Sequence, residues 1–524
     1  MMRRRGNRNR LGLAAALASA ALLLAGCASP PAPSVEELID PAARGAAWQA
    51  ENFDQLYKQQ LKWAPCDESY GADPATVAEL ERAGLDAAGI RCTMVAAPLD
   101  WDDPTNTETI ELAVTHVSAT ESARGTLLGN PGGPGEPGVE FMLGMALSPG
   151  FEDVLANYDL LGFDPRGIGY STPIECDDAG SELRAVQIAE CVANNSLART
   201  MGTVQVARDM ELLRHLVDEE RLDYLGYSYG TMLGATYASI FPEQVGRMVL
   251  DSAENAEWAS PIHQFDQQVA ISNALAALAD TCRTVYADVV EVCPFTSEDS
   301  LIEVLDRLNG KPLVASDATE VTGDSLYGLL VGTLYQSHVG RGDMLDTIAL
   351  ALFGNQDAID VLAEDLSTEG TVDLAMDIVT CHSFPLDPNV VGLLEHVRKT
   401  GVPRLMGGPE VTDEVLAPYV DMSCYALPES GLDYSENFSA KGADPILVIG
   451  ITGDHATPFQ YAEVLTEELG NATLLTLDGQ GHAASFTGRS SCIDTAVTDY
   501  LVAGTMPAKG QVCTDDFGVG GEGS

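Results

Sequence analysis

Gly226-Tyr227-Ser228-Tyr229-Gly230 follows a short apolar run, Leu222–Leu225, and opens a small-residue segment of helical character, Thr231–Ile240. The three pieces read as a strand, a sharp turn with serine at its apex, and a helix. Such a turn holds its serine at a strained backbone angle. A side chain at either flank would collide with the adjoining strand or helix, which accounts for both glycines. A serine presented this way is a candidate nucleophile. The pentapeptide by itself is common by chance, so the reading depends on what the rest of the chain supplies.

A serine hydroxyl is a weak nucleophile at neutral pH. It needs a base within hydrogen-bond reach, and the base needs an acid to orient it. Pro445–Ile451 is a Leu/Val/Ile run of the kind expected for a buried parallel strand, and it leads into Gly453-Asp454-His455-Ala456-Thr457-Pro458. A further predicted strand, Thr473–Leu477, leads into Asp478-Gly479-Gln480-Gly481-His482. Ser228, Asp454 and His482 therefore stand in the order Ser–Asp–His, each after a predicted strand. His455 competes for the role of base. Asp251, which ends the predicted strand Gln244–Asp251, is the alternative acid. Upstream, Gly125–Leu128 runs into Gly129-Asn130-Pro131-Gly132-Gly133-Pro134-Gly135. A glycine-rich loop after a strand can turn bare backbone N–H groups toward a substrate oxygen. The expected oxyanion donors are the N–H of Tyr229 and that of Gly132 or Gly133.

Strand and helix patterns alternate around these motifs. Predicted strands cover Cys92–Pro98, Thr109–Ala119 and Tyr158–Phe163, and a helix covers Thr203–Glu220 with Val206, Met210, Leu213 and Val217 on one face. From 252 to 440 the rhythm changes to helical patterns. The expected fold is α/β, an α/β-hydrolase fold with a mostly parallel central sheet flanked by helices and an inserted, mainly helical cap. The core would run over 45–251 and 441–513, with a disordered tail at 514–524. His116 reads as a strand residue, and His263, His338, His382 and His396 as satisfied or surface histidines. Asp164 and Arg166 are expected to form a local ion pair bracing the loops around the site.

The first 26 residues read as an export signal. Arg3, Arg4, Arg5, Arg8 and Arg10 precede an apolar stretch, Leu11–Ala25, and Leu24-Ala25-Gly26-Cys27 has the form of a lipobox. Cys27 would carry the lipid, and residues 27–44 would form a tether to the membrane. The other ten cysteines form an even set without C-x-x-C spacing, which in an exported protein reads as disulfides. Pairing of neighbours is expected: 66–92, 176–191, 282–293, 381–424 and 492–513. No metal or cofactor is implied. With 28 basic against 78 acidic residues and a net charge of −50, the chain lacks the basic footprint of a nucleic-acid binder. The sequence leaves the oligomeric state open.

The motifs Trp63-Ala64-Pro65-Cys66, Gly129–Gly135, Asp164–Ser171, Gly226–Gly230, Gly453–Pro458 and Gly481-His482, with the closing Cys492–Cys513 segment, resemble the secreted tripeptidyl aminopeptidases, relatives of the proline iminopeptidases. The resemblance spans nearly the whole chain after the signal. It implies cleavage of a peptide bond near a free N-terminus through an acyl-enzyme, with Ser228 as nucleophile, His482 as base and Asp454 as orienting acid. Glu136 departs from the small residues usual in such loops. An exopeptidase of this kind needs an acid for the substrate ammonium, and Glu136, Glu140, Asp251, Glu254 and Glu257 are placed to provide one, with Glu254 and Glu136 preferred. A carboxylesterase or lipase with the same triad is the competing reading, since fold does not settle substrate. A binding lipoprotein with a degenerate fold would be expected to have lost Ser228, His482 or the glycine loop.

Overall fold

The computed structural model describes residues 44–516, except 175, 177–182, 259, 369–373, 384–389, 420–422 and 428–437. Cys27, the export signal and most of the tether lie outside the described residues. Twelve strands occur in chain order among those residues: β1 (Ala64–Pro65), β2 (Ile90–Pro98), β3 (Thr109–Val117), β4 (Thr126–Asn130), β5 (Asp159–Phe163), β6 (Leu222–Tyr227), β7 (Val245–Asp251), β8 (Leu313–Val314), β9 (Glu320–Val321), β10 (Ile446–Gly453), β11 (Ala472–Gln480) and β12 (Val512–Thr514). Ten of them form one sheet in the order β1-β2-β3-β5-β4-β6-β7-β10-β11-β12. β1, β2, β3 and β5 pair antiparallel; every pairing from β5 to β12 is parallel. The carboxyl ends of β4, β6, β7, β10 and β11 therefore reach the same edge, where ligands bind in sheets of this type.

Period-two alternation fixes the two faces. Leu128, Leu161, Tyr224, Leu250 and Val448 pack into one core with the helices Thr203–Leu216 and Tyr229–Ile240. Their neighbours Leu127, Leu160, Leu225, Val249 and Leu447 pack into the other, with Gly138–Met145 and Ser491–Thr498. Between β7 and β10 lie helices with a core of their own, including Leu275, Leu278, Leu330, Leu345 and Ile348. This stretch also contains a small hairpin, β8–β9, that helical patterning does not reveal. Its strands have two residues each, too few to register a period.

Other elements differ from expectation for identifiable reasons. The final helix stops at Thr498 and continues as a wider turn, Asp499–Ala503. There the Leu501 carbonyl accepts from Tyr158 Oη (2.6 Å), Arg124 Nη1 (2.7 Å) and Arg247 Nη1. The tail is held as far as Asp516: Thr514 belongs to β12, Asp515 pairs with Arg489 at 2.9 Å and Asp516 accepts from Ser491 N. Five disulfides join 66–92, 176–191, 282–293, 381–424 and 492–513.

The expected Asp164–Arg166 pair does not form. Asp164 accepts from the backbone N–H groups of Val139 and Tyr170 (3.0 and 2.8 Å). Arg166 reaches instead across the core to Asp209, with two bonds of 2.8 and 2.7 Å and both residues fully buried. Asp209 also accepts from Trp101 Nε1. Breaking one partner of a buried, fully bonded pair leaves an uncompensated charge, which typically costs about 3–5 kcal/mol. Asp209→Ala is accordingly expected to lower the unfolding free energy by about 3–5 kcal/mol in chemical denaturation; a loss under about 1 kcal/mol would mean that the pair is not the brace described.

Candidate active site

Ser228 sits between β6 and its helix with φ 54° and ψ −125°. A Cβ on Gly226 would lie 2.5 Å from the Gly230 carbonyl oxygen, and one on Gly230 would lie 2.9 Å from that of Asn130. The elbow can close only if both flanks lack side chains. Ser228 N–H donates to the Asp251 carbonyl at 3.0 Å, which fastens the elbow to the end of β7.

The glycine loop packs directly on this turn. Gly132 has φ 105°, and a Cβ there would lie 2.5 Å from the Tyr227 carbonyl oxygen, 2.9 Å from Ser228 Cβ and 3.1 Å from Tyr229 N. The Gly132 N–H already donates to Asn130 Oδ1 at 3.0 Å. Gly133 N–H has no acceptor among the described residues, so of the two glycines it is Gly133 that has a donor to offer beside Tyr229. Gly132 contributes closeness of approach instead.

Asp454 and His482 meet. His482 Nδ1 lies 3.0 and 3.1 Å from the two carboxylate oxygens of Asp454, which is buried. Asp454 also accepts from Ala456 N (2.9 Å), Thr457 N (3.0 Å) and Thr457 Oγ1 (3.0 Å). Burial alone would raise its pKa. The charge of His482 and its hydrogen bond, with His455 and the Thr457 N–H, reverse this and hold the group at about 2. The folded value is below the ordinary one, so this contribution to stability is present at neutral pH and is lost as pH falls through about 2. With Nδ1 committed to Asp454, Nε2 is the nitrogen left for proton transfer. Ser228 Oγ makes no hydrogen bond to it in this arrangement.

Asp251, the alternative acid, is placed otherwise. Its carboxylate accepts from Ala484 N (3.1 Å), Ser485 N (2.7 Å) and Ser485 Oγ (2.5 Å). The neighbouring Ser252 Oγ accepts from Ala483 N at 2.8 Å. Asp251 and Ser252 thus hold the loop that follows His482, while the Asp251 carbonyl holds Ser228. His455, the alternative base, is fully buried, and neither ring nitrogen has a hydrogen-bond partner. Burial pushes its pKa down to about 3.

The acidic candidates separate cleanly. Glu136 and Glu257 are exposed, and Glu140 accepts from Asp73 N and Thr76 Oγ1. Glu254 is fully buried three residues beyond β7, and neither carboxylate oxygen has a partner. Burial, and then the charge of Asp454, pushes its pKa well above the usual range. Sequence reading missed Thr457, although an Asp-x-x-Thr turn is its visible signal, and it missed Tyr335. That ring comes from the cap and lies 4.5 Å from the His455 ring and 5.6 Å from the His482 ring, edge-on to both. Among the described residues no group of three or more His, Cys, Asp or Glu is placed to hold a metal ion.

Two family models match the chain: the alpha/beta hydrolase fold over residues 125–361 and the TAP-like protein over residues 411–513. Serine protease Hip1 of Mycobacterium tuberculosis is 30% identical, the match covering 95% of this chain and 96% of that protein. Carboxylesterase B of Mycobacterium tuberculosis is 32% identical, covering 96% and 98%. The tripeptidyl aminopeptidase of Streptomyces lividans is 27% identical, covering 96% of each.

Proposed function

The chain belongs to the α/β-hydrolase family, in the branch marked by the TAP-like C-terminal region, and we propose that it is an exported serine aminopeptidase releasing short peptides, tripeptides foremost, from free N-termini. Ser228 Oγ adds to the scissile carbonyl carbon while His482 Nε2 takes the hydroxyl proton. The oxyanion is received by the N–H groups of Tyr229 and Gly133. Collapse breaks the C–N bond, and the proton on Nε2 passes to the departing amine. Water then gives a proton to the same nitrogen and attacks the ester, which frees the new carboxyl end and restores Ser228. Asp454 keeps Nδ1 protonated and stabilises the imidazolium at each transfer.

The observation that carries the aminopeptidase reading is Glu254. A carboxylate buried without a partner is costly, and a substrate ammonium would remove that cost by pairing with it. Its N–H donates to Thr231 Oγ1 at 3.2 Å, and that hydroxyl donates to the Ser228 carbonyl at 2.6 Å. The Leu24-Ala25-Gly26-Cys27 stretch supports the address: export, and a lipid on Cys27 that holds the enzyme to the outer face of the membrane. The relative named carboxylesterase B keeps a second reading, ester hydrolysis by the same three residues.

Purified protein with unblocked and N-acetylated forms of the same peptide amide distinguishes the two. The unblocked form is expected to be cleaved far faster. Glu254→Gln should raise its KM about ten-fold or more while moving kcat little, as for loss of a charge-assisted bond made equally in ground and transition states. Equal cleavage of both forms would end the aminopeptidase reading and leave the esterase one. Membrane anchoring is checked by fractionation: Cys27→Ala should move the protein from the membrane to the soluble fraction, and unchanged sedimentation would exclude the lipid.

A further inference from the structure

Two guanidinium groups press on Gly481, the residue before His482. A Cβ there would lie 2.7 Å from Arg341 Nη2 and 3.0 Å from Arg489 Nη1. Arg489, from the C-terminal part of the core, is neutralised by Asp515 and also donates to the carbonyls of Gln480 (2.5 Å) and Ala483 (3.2 Å), which flank His482. Arg341, from the cap helix His338–Leu352, is not neutralised. It is as buried as Arg489, at 8% exposure for each. Its hydrogen bonds go to neutral oxygens, the Leu334 carbonyl at 2.6 Å and Tyr286 Oη at 3.3 Å, and its Nε has no partner. No carboxylate lies within ion-pair distance of it among the described residues.

In a chain with 78 acidic and 28 basic residues, a partner for one arginine is the easiest thing to supply. Arg166, fully buried, has its aspartate. A buried cation without a counter-charge destabilises a fold unless something else meets it. The two bonds leave the Nε–H and one hydrogen on each terminal nitrogen of the guanidinium's five, the fork that binds a carboxylate through two parallel bonds. The position says where that carboxylate comes from. His482 hands its proton to the departing amine, so groups beside the His482 loop border the path of the departing segment.

We propose that Arg341 receives a substrate carboxylate on the leaving side of the scissile bond. This deepens, and rests on, the hydrolytic reading of Ser228 and His482 above. Together with Glu254 it makes the substrate one that is read by opposite charges on the two sides of the cleaved bond. The carboxylate belongs either to the C-terminus of a short free peptide or to an Asp or Glu side chain just beyond the cleavage point.

The test is a ratio of kcat/KM values measured within one enzyme preparation, so that partial folding cancels. One pair is a short unblocked peptide with a free C-terminal carboxylate against its C-terminal amide. The other is a longer amidated peptide with Glu against Gln directly after the scissile bond. The wild type is expected to favour the carboxylate member of at least one pair about ten-fold or more, and the pair that responds identifies the source. Added salt should shrink the preference. Arg341→Gln, with Arg341→Met as a second variant that keeps the packing of the stem, should bring the ratio near one. A wild-type ratio near one for both pairs overturns the proposal without any variant, as does a preference that both variants retain. N-acetylated versions of the same pairs keep the two claims separate: equal cleavage of acetylated peptides defeats the amine reading while the ratio still decides Arg341. Should no peptide be cleaved, acyl esters whose alcohol carries a carboxylate or an amide give the same ratio.

Discussion

Asp251 is the residue on which the site depends. Its carbonyl accepts the Ser228 N–H, and its carboxylate gathers two backbone N–H groups and a hydroxyl from the loop after His482. One residue at the end of β7 therefore sets the Ser228 turn and the loop after His482 in a common frame. Asp454 completes that frame from β10, the strand beside β7. Because β6, β7, β10 and β11 are parallel neighbours, Ser228, Asp454 and His482 arise from strand ends at one edge of the sheet, and short loops suffice to bring them together.

The surroundings of this frame carry groups that a core chosen for stability alone would avoid. Glu254 and His455 are buried with no polar partner, and Arg341 is buried with its charge unmatched. They lie near Ser228, Asp454 and His482: Glu254 N–H donates to Thr231 Oγ1, the His455 ring is 6.0 Å from that of His482, and Arg341 lies against the Gly481 backbone. Other buried groups also lack a partner, both nitrogens of His263 among them, and it is the closeness of these three to Asp454 and His482 that underlies the proposals made for Glu254 and Arg341. The cap brings the Tyr335 ring beside those of His455 and His482, and Arg341 against Gly481.

The core strands and the Ser–Asp–His order were legible because parallel strands buried on both faces are plain apolar runs, and those that lead to Ser228, Asp454 and His482 end in glycine-marked turns. The choice between Asp251 and Asp454 was harder to read, since both follow such runs. In the structure the His482 ring meets Asp454. Asp251 is still the last residue of β7, so its side chain follows the sheet's alternation, whereas Asp454 stands one residue past β10 and is free to turn across the edge. Asp164 and Arg166 looked like partners because they are near in sequence, yet the arginine found Asp209, 43 residues away and on a helix. Glu254 was one acid among 78, and burial with both carboxylate oxygens unpartnered distinguishes it. Arg341 and Tyr335 had no local signal at all, because their relevance comes from how the cap folds over the core. Of the glycine pair, an Asx-turn from the Asn130 side chain to the N–H two residues on separates Gly132 from Gly133.

The most direct measurement of the central claim, that Ser228 forms a covalent intermediate within this frame, is intact-protein mass spectrometry after treatment with a serine-directed phosphonofluoridate, followed by peptide mapping. The account predicts one adduct per chain on the peptide containing Ser228, and none in Ser228→Ala. An adduct on another residue, or a wild-type protein that stays unmodified while it turns over substrate, would contradict it.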